Sequence, residues 1–241
     1  MTRALVVAAI LAVGVAPREA PAPPAVERQS EQTGARGRLF PPQDLGLLEG
    51  PDRDQWQKPD LIMDALKIFD GAVVADLGAG GGWFTIRLSR RVGPNGVVYA
   101  QDIQPQMLEA IERRVERENL HNVRTVLGTA TDPRLPSGLD AALIVGAYHE
   151  MNDPVRPEVI VTLLGNVARA LKPQGRLGVV DFTAGGGGPG PSPGERVDPQ
   201  QVIDAASAAG LTLLAREAVS PFSYLLVFGR SLLPAPRAPS P

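Results

Sequence analysis

Cysteine is missing from all 241 residues. The chain can therefore form no disulfide, carry no lipid-modified cysteine and offer no thiolate as nucleophile or metal ligand. Imidazole is scarce too: His121 and His149 are the two histidines, and with thiolates gone they leave little from which to build a zinc site, so no metal is expected. Nor is there an excess of charge of one sign. Lys and Arg number 24 against 26 Asp and Glu, a net charge of -2, and no basic block stands out. Nucleic acid is therefore not an expected partner, whereas a small charged substrate stays open.

What is present suffices for one well-buried domain with appendages: 44% of the residues are hydrophobic. Met1-Thr2-Arg3 followed by an uncharged apolar run over 4–16 has the form of a secretory signal. The run is shorter than the about 20 residues of a membrane span. Small-residue cleavage sites at Ala16 and Ala22 are each followed by proline. Residues 1–22 are therefore read as a signal peptide or membrane anchor, which implies an exported, periplasmic or membrane-anchored protein, or a tethered domain facing the cytoplasm. Residues 23–39, rich in Pro, Ala, Arg and Glu without apolar periodicity, read as a disordered linker, and 231–241 as a disordered tail. The folded part is 40–230.

Within it, strand-like runs alternate with helix-periodic segments, the pattern of a doubly wound, mainly parallel α/β sheet. Strands are expected at 72–77, 97–102, 123–127, 140–146 and 177–182. Pro105 can open a helix with Met107, Leu108, Ile111 and Val115 on one face. A second helix is expected over 155–171, and Asp198-Pro199 caps a third that stops at Gly210. Two last strands, 211–217 and 223–228, are joined by a link too short for a parallel crossover, so they form an antiparallel hairpin.

The most informative stretch is Val73-Val74-Ala75-Asp76-Leu77-Gly78-Ala79-Gly80-Gly81-Gly82-Trp83-Phe84. An apolar strand ends in an acid, turns through glycines and enters a helix, which exposes backbone N–H groups to a ligand. The dinucleotide fingerprint G-x-G-x-x-G is not met, because Trp83 stands at its third glycine. The spacing Asp76, Gly78, Gly80, Gly82 instead resembles motif I of class I S-adenosylmethionine-dependent methyltransferases. Leu171-Lys172-Pro173-Gln174-Gly175 before the fifth strand is similar to another of that family's motifs. The resemblance covers about 72–228 and implies a Rossmann-like methyltransferase fold over 40–230, with seven strands and a C-terminal antiparallel hairpin, acting on a small-molecule acceptor as a monomer or homodimer.

It also implies site residues. Gly78, Ala79, Gly80 and Gly82 approach the methionine end of S-adenosyl-L-methionine, and Asp76 lies near its amino group or an ordered water. Asp102, at the end of the second strand, accepts from the ribose hydroxyls, and Ile103 packs on the adenine. Thr129 stands where relatives carry an acid for the adenine edge, beside Ala130, with Asp132 as a substitute; Gly146 ends the fourth strand. The sequence after it brings chemistry: His149 as base, Glu150 to orient it and Tyr148 as a wall or hydrogen-bond partner. His149 can equally pack at the strand end. Trp56, Gln57 and Lys58 are candidates for a lid, and 184–195, rich in Gly and Pro, for a mobile flap or a spacer. A non-catalytic cofactor-binding module and an NAD(P)-dependent oxidoreductase are the alternatives.

Overall fold

The structure, a computed structural model, describes residues 39–185 and 187–231. After a 3-10 turn at Pro42–Leu48 come α1 (Arg53–Gln57), α2 (Pro59–Ala65), β1 (Val73–Leu77), α3 (Trp83–Val92), β2 (Val97–Asp102), α4 (Pro105–Arg117) and β3 (Val123–Leu127). The second half holds β4 (Leu139–Val145), α5 (Tyr148–Met151), α6 (Pro157–Ala170), β5 (Leu171–Phe182), α7 (Pro199–Ala208), β6 (Leu211–Ser220) and β7 (Ser223–Arg230).

The strands form one seven-stranded sheet in the order β3-β2-β1-β4-β5-β7-β6. The first five are parallel, and β7 runs antiparallel to both β5 and β6. Both faces are covered, so the strands read as apolar runs rather than alternating ones. Val74 packs with Leu88 of α3 and Ile111 of α4 on one side. Ala75 and Leu77 meet Leu164 of α6 and Val202 of α7 on the other. Alternation along β1 is thus between two cores.

The expected architecture is met, with shifted boundaries. β5 begins at Leu171, six residues before the expected start, because Leu171 already pairs with Leu139; the register then jumps to Ala141 opposite Arg176. The proline and glycine of this stretch sit in that irregularity. β6 runs on to Ser220 through two register shifts, and α6 starts at Pro157, leaving Val155 exposed.

The leader expected at 1–22, most of the linker and nearly all of the tail lie outside the described residues. The expectation of an exported or membrane-anchored chain is corrected: no helix among the described residues is long and apolar enough to cross a membrane.

Candidate functional site

Parallel pairing aligns the carboxyl ends of β1, β2, β4 and β5, and the chain leaves β1 and β4 toward opposite faces. The crevice between those two exits is where open α/β sheets take ligands. Gly78, Gly80 and Gly82 turn the chain there with φ of +65°, +53° and +78°, values that side chains resist. A Cβ on Gly78 would stand 2.7 Å from Met151 Cε and 2.8 Å from Ala147 Cβ. The loops after β1 and β4 therefore touch, and only glycine fits between them.

Two carboxylates line this loop. Asp76 is 2% exposed and accepts a 2.6 Å hydrogen bond from Thr85 Oγ1. Burial pushes its pKa up to about 6, against the pull of that bond and of the Arg53 charge. Asp102 Oδ2 accepts from the Gly80 N–H and Oδ1 from the Gln104 N–H, both at 3.0 Å. It thereby faces the glycine loop, and burial raises its pKa despite those bonds. Ile103, Gly146 and Ala79 are half-buried along the crevice, and Ala130 is exposed. Thr129 is turned elsewhere: its Oγ1 accepts the Asp132 N–H at 3.0 Å, and its own N–H goes to the Asp132 carbonyl. Asp132 Oδ1 in turn accepts from the Arg134 N–H.

After β4, the chain brings His149 to a partner that sequence reasoning missed. Asp181, near the end of β5 and fully buried, accepts the His149 backbone N–H at 2.8 Å and faces Nδ1 at 3.1 and 3.2 Å. Burial opposes charging the ring, but Asp181, with Glu150 and Glu195, outweighs it and raises the pKa of His149. Glu150 does not orient the ring as expected. Its Oε1 is 3.8 Å from Nε2, and its Oε2 accepts the Phe40 N–H. Tyr148 is no wall of the crevice: it is wholly buried in the core on the α6 face with its hydroxyl unpartnered.

The segment before α1 crosses the crevice. Phe40 is tied to Glu150 on one side, and its carbonyl accepts from Gln104 Nε2 at 3.1 Å on the other. Leu48 and Leu45 lie over Gly80 and Gly81. Of the expected lid residues, Trp56 packs on Phe182 and Phe222, with ring centroids 6.2 and 5.5 Å apart, Gln57 is buried, and Lys58 is exposed at the left-handed joint of α1 and α2. Gly188 and Gly190 lie against the Phe222 and Phe182 rings. Arg196 gathers the carbonyls of Thr183, Gly187, Pro189 and Pro191. His149 meets Phe182 edge-on at 6.3 Å, so an imidazole and three aromatic rings border the space beyond β4 and β5.

Residues 74–175 match a family model described as a methyltransferase domain. Over 121 residues the chain is 30% identical to a demethylmenaquinone methyltransferase of Geobacillus stearothermophilus, covering 50% of this chain and 49% of that protein. Over 88 residues it is 33% identical to a probable cobalt-precorrin-6B C(15)-methyltransferase of Sulfolobus acidocaldarius, covering 36% and 46%. The chain thus spans about half the length of the curated relatives it matches. Among solved structures, a SAM-dependent methyltransferase from Aquifex aeolicus superposes with a TM-score of 0.72 at 25% identity, over 78% of this chain and 98% of that one.

Proposed function

Since the chain belongs to the class I S-adenosylmethionine-dependent methyltransferases, we propose that it moves the donor's methyl group to an oxygen or nitrogen of a small-molecule acceptor, with His149 taking the acceptor's proton. The His149–Asp181 pair carries this reading: a half-buried imidazole held by a buried carboxylate, at the crevice edge beside the loop that touches Gly78. Asp181 on Nδ1 fixes the tautomer that leaves Nε2 free to accept.

The residues fit the donor. Its sulfonium supplies an electrophilic methyl, and in-line displacement asks the protein mainly to position the acceptor. Side chains at Gly78 and Gly82 would crowd Met151 and Ile111, which leaves the backbone as the ligand surface. The Asp102 carboxylate takes the Gly80, Gln104 and Ile103 N–H groups and keeps acceptor capacity for a ribose hydroxyl. Trp56, Phe182 and Phe222 favour a planar, ring-bearing acceptor.

Calorimetry with S-adenosylmethionine and S-adenosylhomocysteine tests the donor; no saturable binding of either removes the reading. Given binding, label transfer into a metabolite pool identifies acceptors. The variant His149→Gln should then lose roughly 10²- to 10⁴-fold in kcat/KM with S-adenosylhomocysteine affinity unchanged. One observation favours a second reading, a binding module without catalysis: the segment through Phe40, Leu45 and Leu48 bridges the crevice. Tight binding with no label in any pool supports that one.

A further inference from the structure

Two hydrogen-bond acceptors stand side by side at the edge of the crevice. His149 Nδ1 is turned to Asp181 at 3.1 and 3.2 Å, which leaves Nε2 of the neutral ring as an acceptor. Glu150 Oε1 lies 3.8 Å from that nitrogen, too far for a hydrogen bond between them. The other Glu150 oxygen takes the Phe40 N–H at 3.0 Å, which fixes the carboxylate. Neither Nε2 nor Oε1 meets a donor among the described residues. Both side chains keep some solvent contact, at 11% and 21% exposure, so a ligand can reach them.

The spacing suits one kind of functional group. A single atom can stand about 2.8–3.0 Å from each of two acceptors this far apart, but it needs two protons to satisfy both. A hydroxyl has one and would leave the second acceptor desolvated and unmatched. A protonated amine has two or three. The surroundings favour its charge as well. Against the burial that disfavours a charged ring, Asp181, Glu150 and Glu195 together raise the His149 pKa. Burial also raises the Glu150 pKa, so its ionised form gains from a cation beside it. Arg196, over the Phe182 ring, points its N–H groups at the carbonyls of Thr183, Gly187, Pro189 and Pro191. Phe182, edge-on to the imidazole at 6.3 Å, adds an aromatic ring near the same place.

We propose that the methyl acceptor is a ring-bearing primary or secondary amine, bound as its ammonium between Glu150 Oε1 and His149 Nε2 with its ring against Trp56, Phe182 and Phe222. The inference rests on the methyltransferase reading and narrows it from oxygen or nitrogen to nitrogen. Glu150 Oε1 accepts one N–H and holds the group, while Nε2 takes the proton that must leave. The electron pair so freed forms the new N–C bond as the bond from methyl carbon to sulfur breaks, sulfur keeping that pair, and the imidazole passes its proton to water.

2-Phenylethylamine and 2-phenylethanol, alike in shape and different in head group, test this by calorimetry on the full chain with S-adenosylhomocysteine present. The wild type should bind the amine about 5- to 30-fold more tightly, the difference between a charge-assisted and a neutral hydrogen bond. Glu150→Gln should erase that preference and leave S-adenosylhomocysteine affinity unchanged. A wild type that binds S-adenosylhomocysteine but does not prefer the amine, or does not bind it, overturns the inference without any variant, so a poorly folding Glu150→Gln does not rescue it. Equal loss for all three ligands in Glu150→Gln also overturns it, since Glu150 then only anchors Phe40. Label transferred into a metabolite pool should sit on nitrogen; label on oxygen overturns the inference and leaves the methyltransferase reading intact. No label in any pool, or no binding of S-adenosylhomocysteine, refutes that reading and this inference with it.

Discussion

Replacing Asp181 by Asn keeps the shape of a buried side chain and removes its charge. Three N–H positions converge on that carboxylate: the backbone N–H of His149, the backbone N–H of Phe182 and the His149 ring at Nδ1. An amide offers one oxygen to them, and its NH₂ must face a donor. One buried N–H left unmatched costs about 1–3 kcal/mol, which for a domain of this size lowers Tm by roughly 2–12 °C. The substitution should also move the His149 pKa down from its raised position, because burial then meets only the more distant Glu150 and Glu195. A histidine whose folded pKa exceeds its unfolded value of about 6.5 stabilises the fold below that pH and loses the contribution as pH rises through the folded value. The stability gap between wild type and Asp181→Asn should therefore be wider at pH 6 than at pH 9. Imidazole NMR reads this without knowledge of the acceptor, since the two histidines give two signals. His121 precedes β3, an edge strand three places from β4 in the sheet, and should not respond. If the His149 titration stays put in Asp181→Asn, the pair does not govern its protonation, and the assignment of a base oriented by Asp181 is refuted.

Two further outcomes follow from buried groups. Asp76 titrates near 6 in the fold against an ordinary 3.8, so its ionised form costs about 3 kcal/mol, to order of magnitude. Because a raised carboxyl pKa means stability is lost as pH rises from about 4 to about 6, Asp76→Asn should be the more stable protein at pH 8. That advantage should shrink as pH falls through this window, and urea midpoints at pH 4.5 and pH 8 check the sign. Arg196→Lys replaces a planar fork that reaches four carbonyls with three donors on a single nitrogen. Proteinase K should then cut within 184–195 several-fold faster, and an unchanged rate would show that the ring contacts of Gly188 and Gly190 alone hold the loop.

The sheet was legible because its signals are local. The central strands β1 and β4 are short apolar runs, and the glycines at 78, 80 and 82 announce a turn that needs positive φ. The start of β5 was hidden because Pro173 and Gly175 read as a turn, whereas pairing of Leu171 with Leu139 across a register jump is a tertiary event. The partner of His149 was missed for a related reason. Glu150 is its neighbour in sequence, yet consecutive helical residues point about 100° apart, which sends Glu150 toward Phe40 and leaves the ring to Asp181, 32 residues away. The rule that found Asp76 and Asp102, acids at the carboxyl ends of parallel strands, also applies to Asp181.

The charges of the crevice make sense only as a set. Burial raises the pKa values of Asp76, Asp102 and Glu150, and lowers that of Arg53. Each group is thus held in the form its surroundings disfavour. By contrast, pairs such as Arg91 with Asp60 and Asp64 join exposed carboxylates at the surface, where ion pairs contribute little either way. A fold selected for stability alone would place apolar side chains of similar volume in the crevice. On the proposed reading, the acids there would face a cationic donor. The destabilisation expected at Asp76 accordingly reads one electrostatic arrangement, in which desolvation penalties carried by the fold would be relieved by a ligand of complementary sign.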